Sequence, residues 1–198
     1  MFEFILYTIL ILFFLFYAYF FMKTLEYIYC AFIRKQPPFV PSRKNSRQAV
    51  VEQINTYYKN AKNVLEIGSG FGGLARYVAK HTDTNVIALE NMPFSAGISK
   101  FLDFFSLSKK SKTIQTDAFK FLDNTDEKFD IALAYLGPKL TPLLTNYKNK
   151  INVLISLNFE IQGLKPVRVI DTKSGYVIYN RKKYPHKLFV YDFRKLRD

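Results

Sequence analysis

Three glycines stand at alternate positions directly after a short apolar run, in the stretch "VLEIGSGFGG" (64–73). A glycine costs a regular strand or helix roughly 0.5–1 kcal/mol relative to alanine, so Gly68, Gly70 and Gly72 indicate a backbone that bends tightly or lies close to a ligand. A glycine-rich loop between a strand and a helix can present its backbone N–H groups to a nucleotide. A tight connection without any ligand explains the same glycines equally simply.

Acidic residues follow two further apolar runs. Glu90 ends "NVIALE", 22 residues after Gly68, and Asp117 lies in "TIQTDA". An acidic side chain at the end of the second strand can accept hydrogen bonds from ribose hydroxyls. The Asp117 carboxylate can accept a hydrogen bond from the exocyclic amine of adenine, while Ala118 leaves room for the ring. The three strand ends together predict a nucleoside-binding site.

Glu66 helps to choose between two nucleoside cofactors. The pattern "GSGFGG" satisfies a dinucleotide fingerprint as well, because Gly73 can occupy its last position. A carboxylate next to this loop would repel a pyrophosphate, whereas it would attract the ammonium and sulfonium groups of S-adenosylmethionine. Glu66 therefore favours S-adenosylmethionine over a dinucleotide.

The patterns around these residues predict an α/β fold. Strand-like runs occur at 63–68, 85–90, 111–117, 129–137 and 151–158, and helical patterns at 74–80 and around 96–105 separate the first of them. This alternation predicts a parallel sheet covered by helices on both faces. A further amphipathic helix, with Ser46 as its N-cap, precedes the first strand. Residues 167–193 predict antiparallel strands at the sheet edge, with turns at "KSG" and "KYPHK".

As a set, these motifs resemble the class I S-adenosylmethionine-dependent methyltransferases. "VLEIGSGFGG", "VIALE" and "QTDA" are similar to the first, second and third motifs of that family. The resemblance implies a Rossmann-like, seven-stranded sheet with an antiparallel C-terminal edge, and S-adenosyl-L-methionine as the cofactor. The residues that it implies for cofactor binding are Glu66, Gly68, Ser69, Gly70, Gly72, Glu90, Asn91, Asp117 and Ala118.

A narrower resemblance concerns the segments "PPFVPS", "AYLGPKLTPLL" and "VLISLNFEIQGLKP". With the apolar N-terminus, they are similar to the small membrane-anchored protein-lysine methyltransferases, such as that of the ATP synthase c subunit. The family resemblance implies that Tyr135, Leu136 and Pro138 lie beside the transferred methyl group, where the Tyr135 hydroxyl is a candidate to orient the acceptor amine in catalysis. The segment "QPPFVPS" is a candidate lid over the cofactor, with Pro41 and Ser42 nearest to it. A core role for Tyr135 and a rigid connector at "QPPFVPS" are the alternatives. The sequence departs from the group at Phe71 and Gly73, where an acidic residue and an arginine are usual.

The N-terminal segment Phe4–Met22 contains 19 consecutive uncharged residues. As a helix it is about 28 Å long, which matches the hydrocarbon thickness of a bilayer. No lysine or arginine precedes it, unlike a signal peptide, and the basic residues that follow it place the remainder in the cytoplasm. We therefore expect a single-pass protein of a bacterial inner membrane, with an anchor (1–22), a basic and proline-containing linker (23–45) and a methyltransferase domain (46–198).

Composition limits the partners. Twenty-nine Lys and Arg against 16 Asp and Glu give a net charge of +13, which favours anionic lipid, nucleic acid or an acidic partner. A single cysteine, Cys30, excludes an internal disulfide, and no metal-ligand spacing surrounds His81 or His186. "AYLGP" is not the Asn-Pro-Pro-Tyr signature of nucleobase amine methylation, so we expect the bilayer and a membrane protein as partners, with no metal and no nucleic acid. A methyltransferase for RNA, lipid or a metabolite, and a non-catalytic binding module, are the alternatives.

Overall fold

The computed structural model describes residues 2–29, 41–106, 108–179 and 181–196. The chain forms two compact units, Met1–Phe39 and Val40–Asp198. Cys30 and positions 36–40 of the predicted lid lie outside the described residues.

The first unit contains one long helix, α1 (Phe2–Ile28). The hydroxyls of Thr8 and Thr24 donate to the carbonyl oxygens of Phe4 (2.8 Å) and Phe20 (2.9 Å), so both are satisfied within the helix. Its segment Glu3–Leu25 is long and apolar enough to cross a membrane, although signal sequences and core helices of soluble proteins share these properties. The helix predicted from Phe4–Met22 is therefore present, and a membrane span is a candidate role for it.

The second unit contains an α/β sheet with its connecting segments. In chain order its elements are α2 (Lys44–Tyr57), β1 (Asn63–Ile67), α3 (Gly73–His81), β2 (Asn85–Glu90), α4 (Pro93–Phe104), β3 (Ser111–Gln115), α5 (Ala118–Asn124), β4 (Phe129–Ala134), a 3₁₀ segment (Thr141–Tyr147), β5 (Ile151–Leu157), β6 (Arg168–Tyr179), β7 (Lys182–Asp192) and a second 3₁₀ segment (Phe193–Leu196).

The seven strands form one sheet in the order β3-β2-β1-β4-β5-β7-β6. The first five strands pair in parallel, and β7 is antiparallel to both β5 and β6. The predicted parallel sheet with an antiparallel C-terminal edge is confirmed. The chain moves outward from β1 to β3 and then returns beside β1 with β4. The carboxyl ends of β1 and β4 thus border the crevice where sheets of this kind bind ligands.

Both faces of the sheet are covered. On one face, Val64 packs with Val50 of α2 and Leu74 of α3. On the other face, Leu65 packs with Leu122 of α5 and Leu144 of the first 3₁₀ segment. Because successive strand residues point to opposite faces, a strand covered on both sides must be apolar throughout, which explains why the central strands read as continuous apolar runs.

The start of α2 differs from the prediction. The helix begins at Lys44, and the residue before it, Arg43, makes no side-chain capping hydrogen bond. Ser46 is not the N-cap: it is buried in the first turn, and its hydroxyl donates to Thr172 Oγ1 (3.4 Å) in β6. The helix therefore starts before the position of the local capping signal, and the Ser46 hydroxyl makes a tertiary contact with β6 instead of capping it.

The predicted turns in the C-terminal region are also wrong. "KSG" falls within β6, where the pairing with β7 is irregular between Asp171 and Tyr176, and "KYPHK" falls within β7. The hairpin turn follows Tyr179, which pairs with Lys182. Pro185 is tolerated in β7 because pairing with β5 starts only at Leu188, so its missing N–H interrupts no bond to that neighbour.

A polar network joins α3, α4 and β3. Arg76 of α3 donates to Asp103 Oδ1 in α4 (3.1 Å), and Asp103 Oδ2 accepts from the backbone N–H (2.9 Å) and hydroxyl (2.6 Å) of Thr113. Arg76 also donates to the carbonyl oxygen of Phe71 in the glycine-rich loop. The network therefore fixes both the position of α4 and the conformation of that loop.

We expect Asp103→Ala to lower the free energy of unfolding by about 2–3 kcal/mol, because it leaves Arg76 and Thr113 without their charged acceptor. Urea denaturation of the full chain measures this. Asp83→Ala is the matched control: it removes an aspartate that pairs with Lys110 (3.1 Å) while 85% exposed, and exposed pairs contribute little. Equal effects of the two substitutions would contradict a central role for the network.

Candidate functional site

The glycine-rich loop (68–72) connects β1 to α3 by a tight turn at the carboxyl edge of the sheet. The backbone N–H groups of Gly68 and Ser69 both donate to the carbonyl oxygen of Leu89, at 3.0 and 2.9 Å. Gly68 has a φ of +71°, and a Cβ added there would lie 2.9 Å from Leu136 Cδ2. The positive φ favours glycine at this position, and any side chain there would also force Leu136 to move. A structural role for the glycines is thus clear, and it is compatible with a ligand.

Glu90 brings the end of β2 to this loop. Its Oε2 accepts from the Gly70 N–H (2.6 Å) and its Oε1 accepts from the Met92 N–H (2.8 Å), and the side chain is buried. A carboxylate offers about four acceptor positions, so hydrogen bonds to ribose hydroxyls are compatible with these two. Glu90 therefore fixes the distance between the glycine-rich loop and the second strand.

Asp117 lies at the end of β3 and caps α5. Its Oδ1 accepts from the N–H groups of Phe119 (3.0 Å) and Lys120 (3.1 Å), and its Oδ2 lies 3.5 Å from Asn91 Nδ2. This capping role was missed in the sequence, although an aspartate directly before "AFKFLDN" is a usual N-cap signal. The structure thus brings Glu90, Asn91 and Asp117 together at the ends of β2 and β3, with Ala118 as the first residue of α5.

Glu66 lies near the end of β1, below the N-terminus of α3. Its Oε2 accepts from the Ala75 N–H at 2.8 Å. Burial raises the pKa of this carboxyl group to about 8. The Ala75 hydrogen bond and the positive charges of Arg47 and Arg76 lower the pKa, but burial has the larger effect. A cation bound beside Glu66 would favour its ionised form. The carboxyl group is therefore suited to meet a cationic part of a ligand.

Ser69 carries a polar atom without an internal partner. Within the described part of the chain, its Oγ is buried and has no hydrogen-bond partner. An unsatisfied buried hydroxyl costs about 1–3 kcal/mol, and a polar ligand at the loop would remove that cost. Ser69 thus independently supports ligand binding at the glycine-rich loop.

Tyr135 follows β4, and its hydroxyl accepts a hydrogen bond from Asn158 Nδ2 at 3.0 Å. Burial raises the pKa of Tyr135. Its ring lies 5.8 Å from that of Phe159, which is 5.8 Å from Tyr179 and 5.0 Å from Tyr184. These four rings form a cluster that we call the C-terminal aromatic cluster, because β6 and β7 supply two of them.

Asn158 completes this cluster. It is buried with a φ of +66°, and among the described residues its Oδ1 has no hydrogen-bond partner. Sequence reasoning missed Asn158, Phe159, Tyr179 and Tyr184. The pattern "LNF" directly after a strand, with tyrosines in the hairpin, was the available signal.

The two predicted lid residues differ in exposure. Pro41 is exposed, whereas Ser42 is partly buried and its hydroxyl accepts from Arg47 Nε at 2.9 Å. The guanidinium of Arg47 in turn lies 2.9 Å from the position that a Cβ of Gly73 would occupy. Arg47 thus connects Ser42 to the start of α3.

Pro138, at the predicted acceptor end, is partly buried. It follows Gly137, where a Cβ would lie 3.4 Å from the Tyr179 ring. The described residues contain no group of three or more His, Cys, Asp or Glu side chains that could hold a metal ion.

Comparison with known proteins identifies the fold. No protein-family model and no curated protein sequence matches the chain. An RNA methyltransferase from Salinibacter ruber, solved with S-adenosyl-L-homocysteine, matches 78% of this chain and 94% of its own length, with a TM-score of 0.58 at 16% identity. The chain has the class I methyltransferase fold.

Two other methyltransferase structures match in the same way. A putative O-methyltransferase from Klebsiella pneumoniae covers 80% of this chain and 84% of its own (TM-score 0.58, 13% identity). Precorrin-6y C5,15-methyltransferase from Geobacter metallireducens GS-15 covers 78% and 91% (TM-score 0.57, 10% identity). These comparisons do not support the membrane-anchored protein-lysine subtype. Because an RNA methyltransferase is among the matches, they also do not support the expectation that nucleic acid is excluded as a partner.

The raised pKa of Glu66 makes the stability of the methyltransferase fold depend on pH. The folded carboxyl group keeps its proton up to a pH of about 8, whereas the unfolded one loses it near 4.5. This stabilisation is complete below pH 4.5 and is lost as the pH rises to about 8. Because Glu66→Gln stays neutral, its stability relative to the wild type should rise across this window by up to about 1.4 kcal/mol per pH unit.

Thermal unfolding from pH 5 to pH 9 measures this difference, with the exposed substitution Glu52→Gln in α2 as the control. The control should follow the wild-type curve. A constant difference between Glu66→Gln and the wild type over the whole range would show that Glu66 ionises normally.

Proposed function

We propose that this protein is an S-adenosylmethionine-dependent methyltransferase. The observation that carries the proposal is the meeting of the glycine-rich loop, Glu90 and Asp117 at one edge of a methyltransferase-type sheet. The matched Salinibacter ruber structure is a complex with S-adenosyl-L-homocysteine, the product of such a reaction. Repulsion of a pyrophosphate by Glu66 requires an ionised carboxylate, and burial raises the pKa of this group to about 8, so the choice between S-adenosylmethionine and a dinucleotide rests on the comparison of the two ligands below.

Each side chain has a separate proposed role in binding. Glu66 faces the cationic methionine end, where a positive charge lowers the pKa of its carboxyl group and makes it an anionic partner. Glu90 accepts hydrogen bonds from the ribose, and Ser69 Oγ contacts the same part of the cofactor. The N–H groups of Gly68, Ser69 and Gly70 already donate to Leu89 and Glu90, so these amides shape the loop. Asp117 Oδ2 and Asn91 bind the adenine edge beside Ala118.

The cofactor supplies an electrophilic methyl group, so the protein has to align a neutral nucleophile and remove its water. We place that nucleophile at the C-terminal aromatic cluster, next to Tyr135. A lysine amine, with an ordinary pKa of about 10.4, must lose its proton there, and apolar burial favours the neutral form. In this proposal Asn158 Oδ1, which has no hydrogen-bond partner among the described residues, and the Tyr135 hydroxyl orient the amine by hydrogen bonding.

We further propose that the acceptor is a lysine on a membrane protein near the cytoplasmic headgroups. Support comes from α1: if it spans the bilayer, it confines the catalytic unit to a thin layer, which raises its effective concentration toward membrane-bound acceptors. RNA is the second candidate acceptor, favoured by the net charge of +13 and by the likeness to an RNA methyltransferase. Lipid, a metabolite and non-catalytic binding are the remaining alternatives.

Calorimetry on the full chain in detergent tests the cofactor. We expect S-adenosylmethionine and its demethylated product to bind and NAD not to bind.

The substitution Asp117→Asn should retain stability, since asparagine caps helices as well as aspartate. It should weaken S-adenosylmethionine binding by about 5- to 30-fold, because it replaces the acceptor for the adenine amine with a donor. NAD binding without S-adenosylmethionine binding would overturn the assignment, and unchanged affinity in Asp117→Asn would place adenine elsewhere.

Methyl transfer from isotopically labelled S-adenosylmethionine identifies the acceptor. Cell membranes and total RNA are incubated with the full chain, and label is measured in protein, RNA and lipid fractions, followed by mass spectrometry of the labelled protein. We expect label on lysine.

Removal of residues 1–22 should preserve cofactor binding and strongly lower labelling in intact membranes. The substitution Tyr135→Phe should preserve cofactor binding and slow methyl transfer. Label confined to RNA would replace the lysine proposal, and no label in any fraction would favour a non-catalytic module.

A further inference from the structure

Helix α4 buries small side chains and exposes large apolar ones, the opposite of an ordinary surface helix. The residues that it buries are small, Ser95, Ala96 and Ser99. Its exposed side carries Phe101 and Phe104, followed by Phe105, with 63%, 74% and 65% of their surfaces exposed. Phe105 lies 4.9 Å from Phe101 and 5.2 Å from Phe104, measured between ring centroids. We call these three phenylalanines the α4 aromatic patch, and contiguous exposed apolar patches of this kind mark interaction surfaces.

Basic side chains border the α4 aromatic patch. Lys100 is exposed beside it, and Lys109 Nζ lies 5.8 Å above the Phe104 ring and donates to the Phe104 carbonyl oxygen at 2.8 Å. The stretch 104–116 contains three lysines and no acidic residue, although one of the three, Lys110, pairs with Asp83 at 3.1 Å. Asp103, the acidic residue in α4, is directed toward Arg76 and Thr113 instead. The surface is therefore aromatic at its centre and positively charged at its border.

We propose that the α4 aromatic patch is a membrane-binding surface, which inserts its phenylalanines into the interface of an anionic bilayer while the lysines contact the lipid headgroups. Aromatic side chains favour the interfacial layer of a bilayer, and basic residues next to them are attracted to anionic lipid. A second copy of this chain fits the patch less well, because pairing two patches would bring two basic borders together. The inference depends neither on the methyltransferase assignment nor on a membrane span in α1.

The chain contains no tryptophan, so a single introduced tryptophan reports its own surroundings. In the full chain, Phe104→Trp places the reporter in the patch. Leu143→Trp is the matched control, because Leu143 is 45% exposed and lies in the first 3₁₀ segment. Its neighbour Leu144 packs on one face of the sheet, whereas α2 and α3 pack on the other. Both substitutions are on exposed side chains and should preserve folding.

Each variant is combined with vesicles of phosphatidylglycerol or phosphatidylcholine that carry brominated acyl chains, which quench tryptophan at contact distance. We expect at least about twofold quenching of the Phe104→Trp reporter in phosphatidylglycerol vesicles, less in phosphatidylcholine, and little for Leu143→Trp in either. Adding Lys100→Glu and Lys109→Glu to the Phe104→Trp chain should reduce the quenching. Equal quenching of both reporters would overturn the proposal, and so would a blue-shifted Phe104→Trp spectrum without lipid quenching, which would show that protein covers the patch.

Discussion

The candidate site depends on the carboxylate of Glu90, which holds the ends of two strands at a fixed separation. One of its oxygens accepts from Gly70 in the glycine-rich loop, and the other accepts from Met92 directly before α4. Because these bonds are buried, breaking either would leave a charged acceptor or a backbone donor unsatisfied, at a cost well above that of an exposed hydrogen bond. The loop conformation, the start of α4 and the proposed ribose contact therefore follow from one side chain. A substitution that changes its length should disturb all three together.

The sequence predicted the parts of the fold that local pattern determines. Alternating apolar runs and helical periods indicated the parallel strands, because strands covered on both faces must be apolar along their whole length. The predictions at Ser46, "KSG" and "KYPHK" were wrong for a different reason. Each was a local signal for a cap or a turn, and in each case pairing across the sheet or contact between α2 and β6 was stronger than the local preference.

For the candidate site, too, the sequence predicted the parts that local pattern determines and missed the parts that long-range pairing assembles. Glycines and acidic residues at strand ends can be recognised from spacing, since the carboxyl ends of parallel strands meet at one edge of the sheet. Asn158, Tyr179 and Tyr184 could not be found in this way. Asn158 and the two tyrosines lie more than 20 residues after Tyr135 in the chain. The tyrosines reach its cluster, through Phe159, only because β7 inserts between β5 and β6. A local pattern such as "LNF" after a strand marks single residues of such a site, but it does not show which distant residues pair with them.

The cofactor side and the acceptor side of the candidate site are built from different parts of the sheet. The proposed cofactor side is built from β1, β2 and β3, whose geometry is a property of the methyltransferase fold itself. The proposed acceptor side is built from the ends of β4 and β5 together with side chains of the β6–β7 hairpin, which can change without altering the sheet. Structures that match at 10–16% identity therefore show the fold to which the first side belongs and leave the second open. The acceptor has to be inferred from the chemistry of Tyr135, Asn158 and the surrounding rings. Among the described residues the buried amide oxygen of Asn158 has no hydrogen-bond partner, and beside aromatic rings it suits a nitrogen nucleophile that donates a hydrogen bond.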